Sequence, residues 1–244
     1  MAAKAEPGFF FMGLSSDIAQ RLADVRDRLG QAAVHAGRPP EQVKLLAVSK
    51  TFGLDHIRAA VEAGQTDFGE NRVQEALQKM EGSADLTIKW HLIGTLQSNK
   101  VRKAVPRFSA IHSVDSLRLL EQIDQTAAGS GCRPDLLVQV DLGGEATKHG
   151  ASEADAEAIV RAGVTCKAAR LIGLMTIPPY FDDPEEARPY FSRLRILRDR
   201  LLASGVDAGS LKELSMGMSH DFEIAVQEGA TIVRIGTAIF GARG

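Results

Sequence analysis

Tryptophan occurs once in this chain of 244 residues, tyrosine and cysteine twice each, and no apolar run approaches the roughly 20 residues that cross a bilayer. The first two shortages, with 29 Lys and Arg against 31 Asp and Glu, remove the stacking and electrostatic case for a nucleic-acid binder. The lack of a long apolar run excludes a transmembrane helix. Cys132 and Cys166 are isolated, with neither metal nor redox spacing, which suits a reducing cytoplasm. None of the six histidines forms a His-x-x-x-His pair or joins a cysteine at ligand spacing, so no metal site is expected. Phe9 to Met12 are apolar, but Glu6 and Pro7 precede them and Gly13 follows, too short and interrupted a run for a secretory signal. Residues 1–14 are read as a disordered or extended segment and residues 15–244 as one domain.

What the chain does have is alternation. Ile18, Leu22, Val25 and Leu29 recur at helical spacing, with Asp17 as N-cap and Gly30 just past the end, which predicts an opening helix. Residues 43–50 are nearly continuously apolar, as a strand buried on both faces must be. Seven further strands are predicted at 66–69, 88–94, 110–114, 136–142, 171–176, 211–216 and 231–236. Helical patterns fall between them at 54–63, 72–80, 116–128, 151–162, 184–203 and 221–228. Strict alternation implies parallel strands with helices outside. Eight units in a chain near the usual ~250 residues point to an α/β fold, a single (β/α)8 TIM barrel, with an open doubly wound sheet as the rival.

In such a barrel, chemistry collects at the C-terminal ends of the strands. Lys50 ends the most apolar strand, where desolvation favours the neutral amine that attacks carbonyls; the alternative is a lysine reaching out to water. Ser215, Gly217 and Ser219 after strand seven, with Gly236 and Thr237 after strand eight, suit a phosphate cradle, although glycines there also make tight turns. Arg234 sits within an apolar strand and needs either an anionic or acceptor ligand or an internal partner, Glu213 or Asp141. The arginines at 188, 193, 195, 198 and 200, and the basic cluster from Lys100 to Arg107, read as solvated helix faces. No Walker, Rossmann or Gly-x-Ser-x-Gly pattern competes with this site.

Several segments, in order, carry a resemblance: Leu45 to Lys50, Phe68-Gly69-Glu70-Asn71-Arg72-Val73-Gln74-Glu75, Trp90 to Gly94, Leu96 to Lys100, Gly173 to Thr176, Leu214 to Ser219, and Val233 to Gly241. Together they resemble the pyridoxal phosphate homeostasis protein family (YggS/PROSC) from about Ser15 to the C-terminus. The resemblance implies a barrel similar to the N-terminal domain of alanine racemase that holds pyridoxal 5′-phosphate. By that match Lys50 forms the internal aldimine, and Ser215, Ser219, Gly236 and Thr237 surround the phosphate. Arg234 lies near the pyridine nitrogen or the phosphate, and Asn71, His91 and Met216 line the pocket. Lys148 matches a lysine that would hold the cofactor a second way. Arg72 departs from the family, whose members often carry an aromatic there.

An arginine at the ring nitrogen disfavours its protonation, so the ring is a poor electron sink and carbanion chemistry is poorly supported. Racemisation also needs an acid/base on each face of the substrate. In alanine racemase the second is a tyrosine from a separate C-terminal domain across a dimer; the tyrosines here are Tyr180 and Tyr190, beyond strand six. The resemblance therefore implies a cytoplasmic, monomeric protein that stores and delivers the cofactor, regulating its supply. No catalytic activity is expected, and neither nucleic acid nor membrane is a partner. Apo forms of pyridoxal phosphate enzymes are its implied partners. A fold-type III amino-acid racemase-like enzyme is the alternative, and a cofactor-free barrel enzyme acting on a phosphorylated sugar is a third reading.

Overall fold

The computed structural model describes residues 7–144 and 149–242 of the chain. Eight strands alternate with helices: β1 (Lys44–Val48), β2 (Asp67–Glu70), β3 (Lys89–Leu92), β4 (Ala110–Val114), β5 (Asp135–Gln139), β6 (Arg170–Met175), β7 (Glu213–Ser215) and β8 (Ile232–Ile235). The helices are α1 (Pro7–His35), α2 (Leu54–Glu62), α3 (Val73–Gly82), α4 (Val101–Ala104), α5 (Leu117–Ser130), α6 (Glu153–Gly163), α7 (Arg188–Ala203), α8 (Phe222–Gln227) and α9 (Thr237–Phe240). Each strand pairs in parallel with the next, and β8 pairs with β1 from Lys44 opposite Ile232 to Ala47 opposite Ile235. That last ladder closes the barrel and removes the open-sheet alternative.

The strands alternate between two environments, as the period of two requires. Leu46, Val48, Ile93, Leu137, Ile172, Met175 and Ile232 pack inside the barrel. Their neighbours Ala47, Phe68, Trp90, Leu92, Ile111, Leu136, Leu214, Met216, Val233 and Ile235 face outward into the larger core under the helices. Sequence sets the helix ends where side chains can cap them. Ser116 accepts from the Leu119 N–H to start α5, and Gly131 closes it at φ 64°.

The opening helix starts ten residues ahead of Asp17 and runs five beyond Gly30. Pro7 stands at its first position, where a fixed φ and a missing N–H cost nothing. From Pro7 onward, the segment expected as an extension is thus helical. Ile18, Leu22, Val25 and Leu29 face inward as predicted, with Ala32 and Ala33 continuing the stripe. Along α7, Phe191, Leu194, Leu197 and Leu201 are buried, while its arginines pair with carboxylates: Arg188 and Arg195 with Glu228, Arg193 and Arg200 with Glu153. Much of the basic charge of this helix is thus spent on neighbouring elements. Among the described residues no helix is long and apolar enough to cross a membrane.

Candidate functional site

β1 runs out at Val48 into a turn made of Ser49, Lys50 and Thr51, with Lys50 half-buried at the C-terminal mouth of the barrel. Thr51 adopts φ 71°, the one positive φ outside glycine among the described residues, and for a β-branched residue that is a strained conformation. A buried ionic network holds it there. Glu75 Oε1 accepts from the Thr51 N–H at 2.7 Å. The Lys79 ammonium donates to the Ser49 carbonyl at 2.8 Å and to Glu70 Oε1 and Glu75 Oε1, each at 2.7 Å. Ser49 Oγ donates to Glu70 Oε1 at 2.7 Å. Burial raises the Glu70 carboxyl pKa despite the hydrogen bonds from Lys79 and Ser49 that oppose the shift. At Glu75 burial pushes upward too, but Lys79 and the Thr51 N–H hold the carboxyl below its ordinary value.

Across the β1–β8 seam lies the glycine cradle. A Cβ at Gly236 would sit 3.3 Å from the Val48 carbonyl oxygen, so the end of β8 abuts the backbone two residues before Lys50. Ser219 Oγ accepts from the Gly236 N–H at 3.2 Å and the Ala238 N–H at 3.4 Å, tying the β7 and β8 loops together. Gly217 holds φ 91°, and a Cβ there would come 2.5 Å from the Ala225 Cβ; only glycine fits this turn. Asp221 Oδ1 accepts from the Met218 N–H at 2.6 Å, and burial raises the Asp221 pKa.

Arg234 is buried inside the barrel, and neither internal partner weighed from the sequence holds it. Its Nη1 donates to Ser215 Oγ and its Nη2 to the Thr176 carbonyl, both at 2.8 Å. Glu213 is engaged instead with Thr231 and Lys212, and Asp141 with the Gly143 and Gly144 N–H groups. Burial lowers the guanidinium pKa to about 10, opposed by Asp221, which leaves it charged at neutral pH. Ser215 Oγ also lies 2.9 Å from His112 Nδ1; His112 Nε2 lies 3.0 Å from His91 Nδ1; and His91 Nε2 lies 3.1 Å from Asp67 Oδ1. Burial leads the effects that hold His112 well below the ordinary histidine pKa, reinforced by His91, Arg234 and Lys44. Asp67 is held at about 2: burial would raise it, but the hydrogen bonds from His91 and Thr66 outweigh that.

The expected site residues therefore separate. Lys50, Gly236 and Ser219 gather around the mouth, with Thr237 exposed beside them and Asn71 half-buried at the end of β2. Ser215, expected with Ser219 around a phosphate, has its hydroxyl inside the barrel between Arg234 and His112. His91 engages Asp67 and His112 through its two ring nitrogens, so it does not line the pocket directly and reaches Ser215 only through His112. Met216, one residue past inward-facing Ser215, points the opposite way and is fully buried under the helices. Arg72 is exposed, and Lys148 lies outside the described residues. Tyr180 is 75% exposed and stacks on His220 at 5.6 Å, while Tyr190 packs on Phe181.

Asp67, Glu70, Glu75, Lys79, His112 and Thr176 were not singled out from the sequence. One signal was there to read: Lys79 falls among Val73, Ala76 and Met80 on the buried stripe of α3, four residues after Glu75. A lysine in that position must be paired.

A closed parallel barrel with a lysine after its first strand and a glycine cradle after its last two defines a class, and the family described as "Alanine racemase, N-terminal domain" matches residues 21–244. A protein of Aquifex aeolicus named pyridoxal phosphate homeostasis protein is 45% identical over 224 residues, covering 92% of this chain and 97% of its own length. PipY of Synechococcus elongatus, solved with PLP bound, is 42% identical with a TM-score of 0.81, over 92% of this chain and 100% of PipY. Solved without PLP, it is 43% identical with a TM-score of 0.84 over the same shares. The chain belongs to the pyridoxal phosphate homeostasis protein family.

Proposed function

We propose that the protein binds pyridoxal 5′-phosphate and serves its homeostasis inside the cytoplasm, storing the cofactor and delivering it to apo-enzymes, with no turnover of its own. The observation that carries this reading is the juxtaposition across the β1–β8 seam: an amine-bearing turn braced by Lys79, Glu70 and Glu75 beside a cradle that a Cβ would crowd. The residues present fit the cofactor's three demands. Lys50 offers the amine, the Ser219–Gly236–Thr237 turns offer hydroxyls and backbone N–H groups to a phosphate, and Arg234 offers a buried donor to a ring nitrogen or phosphate oxygen. Asn71, half-buried just after β2, would flank the ligand, and Ser215 would act on it through Arg234.

When bound, the cofactor supplies an aldehyde that condenses with a neutral primary amine, one water leaving for each bond formed. The chain's own residues favour holding over turnover. A charged guanidinium donates and does not accept, so at the ring nitrogen it would leave that nitrogen unprotonated. Of the two tyrosines that could supply a second acid/base, Tyr190 packs on Phe181 and Tyr180 stands largely in solvent.

The racemase-like alternative keeps one observation in its favour. Tyr180 and His220 line the same cavity of about 210 Å3 as Met218 and Asp221, beside the cradle. Incubating the loaded protein with L- and D-amino acids in deuterated water separates the two readings. The carrier predicts α-deuterium entering no faster than with free cofactor, together with recovery of activity by an added apo-enzyme. Exchange well above the free-cofactor rate, with no transfer, would favour the enzyme.

A further inference from the structure

The polar groups crossing the barrel form an unbroken line from one end to the other. Lys44 and Asp67 stand at the first positions of β1 and β2, 3.9 Å apart, with the Lys44 side chain exposed. The line then passes through His91 on β3, His112 on β4, Ser215 on β7 and Arg234 on β8 to the Thr176 carbonyl after β6. Every link lies between 2.8 and 3.1 Å from His91 onward, and His91, His112, Ser215 and Arg234 are all at most 4% exposed.

The donors and acceptors along this line can be arranged in one way while both rings are neutral. Asp67 as carboxylate only accepts, so His91 Nε2 carries its hydrogen and His91 Nδ1 accepts. His112 must then donate from Nε2 and accept at Nδ1. Ser215 spends its single proton on His112 Nδ1, and its oxygen is left to accept from Arg234. Protonation of His91 reverses the two central links and leaves the donation to Asp67 and the donation from Arg234 unchanged. A cationic His91 donates from both nitrogens, His112 must accept at Nε2 and so carries its hydrogen on Nδ1, and Ser215 Oγ accepts from both His112 and Arg234. The line gains one proton overall: His91 then carries hydrogen on both nitrogens, His112 keeps a single hydrogen but on Nδ1 after exchange, and Ser215 keeps its hydroxyl hydrogen but turns it away from His112.

We propose that Asp67, His91 and His112 form a reversible hydrogen-bond relay in which the charge on His91, set at the base of the barrel, decides whether the Ser215 hydroxyl proton is turned to His112 or toward a ligand beside Arg234. The groups facing the relay are Asp67 and Lys44 from β2 and β1, and Arg234 from β8, with Asp221 behind Arg234. Burial, with His91, Arg234 and Lys44, keeps the charge off His112, so the relay transmits a proton's position without itself charging at its centre. His91 and His112 are thereby positioning residues. The consequence for the ligand rests on the pyridoxal phosphate reading; the relay itself does not.

The test is 15N NMR of the histidine ring nitrogens in the full chain without ligand, titrated from about pH 9 to pH 5. Both rings are expected as Nε2–H tautomers at high pH. As His91 takes up its proton, His112 is expected to switch to the Nδ1–H tautomer while staying neutral. An Nδ1–H tautomer of His112 at high pH would overturn the proposal, as would a His112 tautomer that does not change over the titration. Affinity for pyridoxal 5′-phosphate supplies the second readout. In His91→Asn the Asn oxygen can accept from His112 but takes no proton, so the ratio of wild-type to variant affinity should rise about tenfold on acidification, one added hydrogen bond to a charged group. A ratio independent of pH would contradict the ligand half, and absence of binding at any pH would instead defeat the functional reading while leaving the NMR result standing.

Discussion

Lys79 is the residue on which the amine's position depends most, because it alone ties the Ser49 carbonyl to the carboxylates of Glu70 and Glu75. Replacing it with methionine fills the same space but leaves the fully buried Glu70 charge without its cation. Lys79→Met should lower stability by about 3 kcal/mol in urea unfolding, the scale for breaking a buried pair, and loosen the strained Thr51 turn so that cofactor binding weakens as well. Asp67 makes a pH-dependent contribution. Its folded pKa of about 2 lies below the ordinary 3.8, so its stabilisation is complete above about pH 4 and is lost as pH falls toward 2. The difference corresponds to about 2 kcal/mol, and Asp67→Asn should flatten the acid limb of the stability curve by that amount. A variant that kept the wild-type acid limb would show that the His91 and Thr66 contacts do not hold the carboxylate in solution.

At the scale of elements, the strand-to-loop junctions divide the labour. The β7–α8 connection is unstrained only with glycine at 217, and Gly217→Ala should cost about 2 kcal/mol and weaken pyridoxal phosphate binding, read by denaturation and by titration of the visible absorbance. Helix α1 contributes stability far from the chemistry. Leu22→Ala, in its fully buried stripe, should cost about 3 kcal/mol while leaving the folded fraction able to bind cofactor at wild-type stoichiometry. The strands were legible because parallel strands buried on both faces must be apolar, and β4 matches its predicted limits at both ends. Helices α4 and α9, each four residues long, were not legible, since one turn shows no period. The interior relay was half legible. Arg234 stood out as a charge in an apolar strand, whereas His112 and Asp67 are polar residues whose partners lie on strands distant in sequence, and spacing along the chain says nothing about such pairs.

Taken as a whole molecule, the barrel separates two tasks by face. Apolar residues outside the strands weld the sheet to its helices, and inside the barrel an apolar packing layer shares the space with a line of polar groups leading to the mouth. This arrangement explains why the strand-end positions of Lys50, Ser219 and Gly236 were legible from the order of the strands, whereas the neighbours of Ser215, His91 and Met216 were not: closure decides which side chains meet across the lumen. It also makes the account depend on a single amine. Borohydride reduction of the protein loaded with pyridoxal 5′-phosphate, followed by peptide mapping, addresses that amine directly. The account predicts loss of the visible absorbance and one pyridoxyl adduct, on Lys50; an adduct on another lysine with Lys50 unmodified, or none at all, would contradict it.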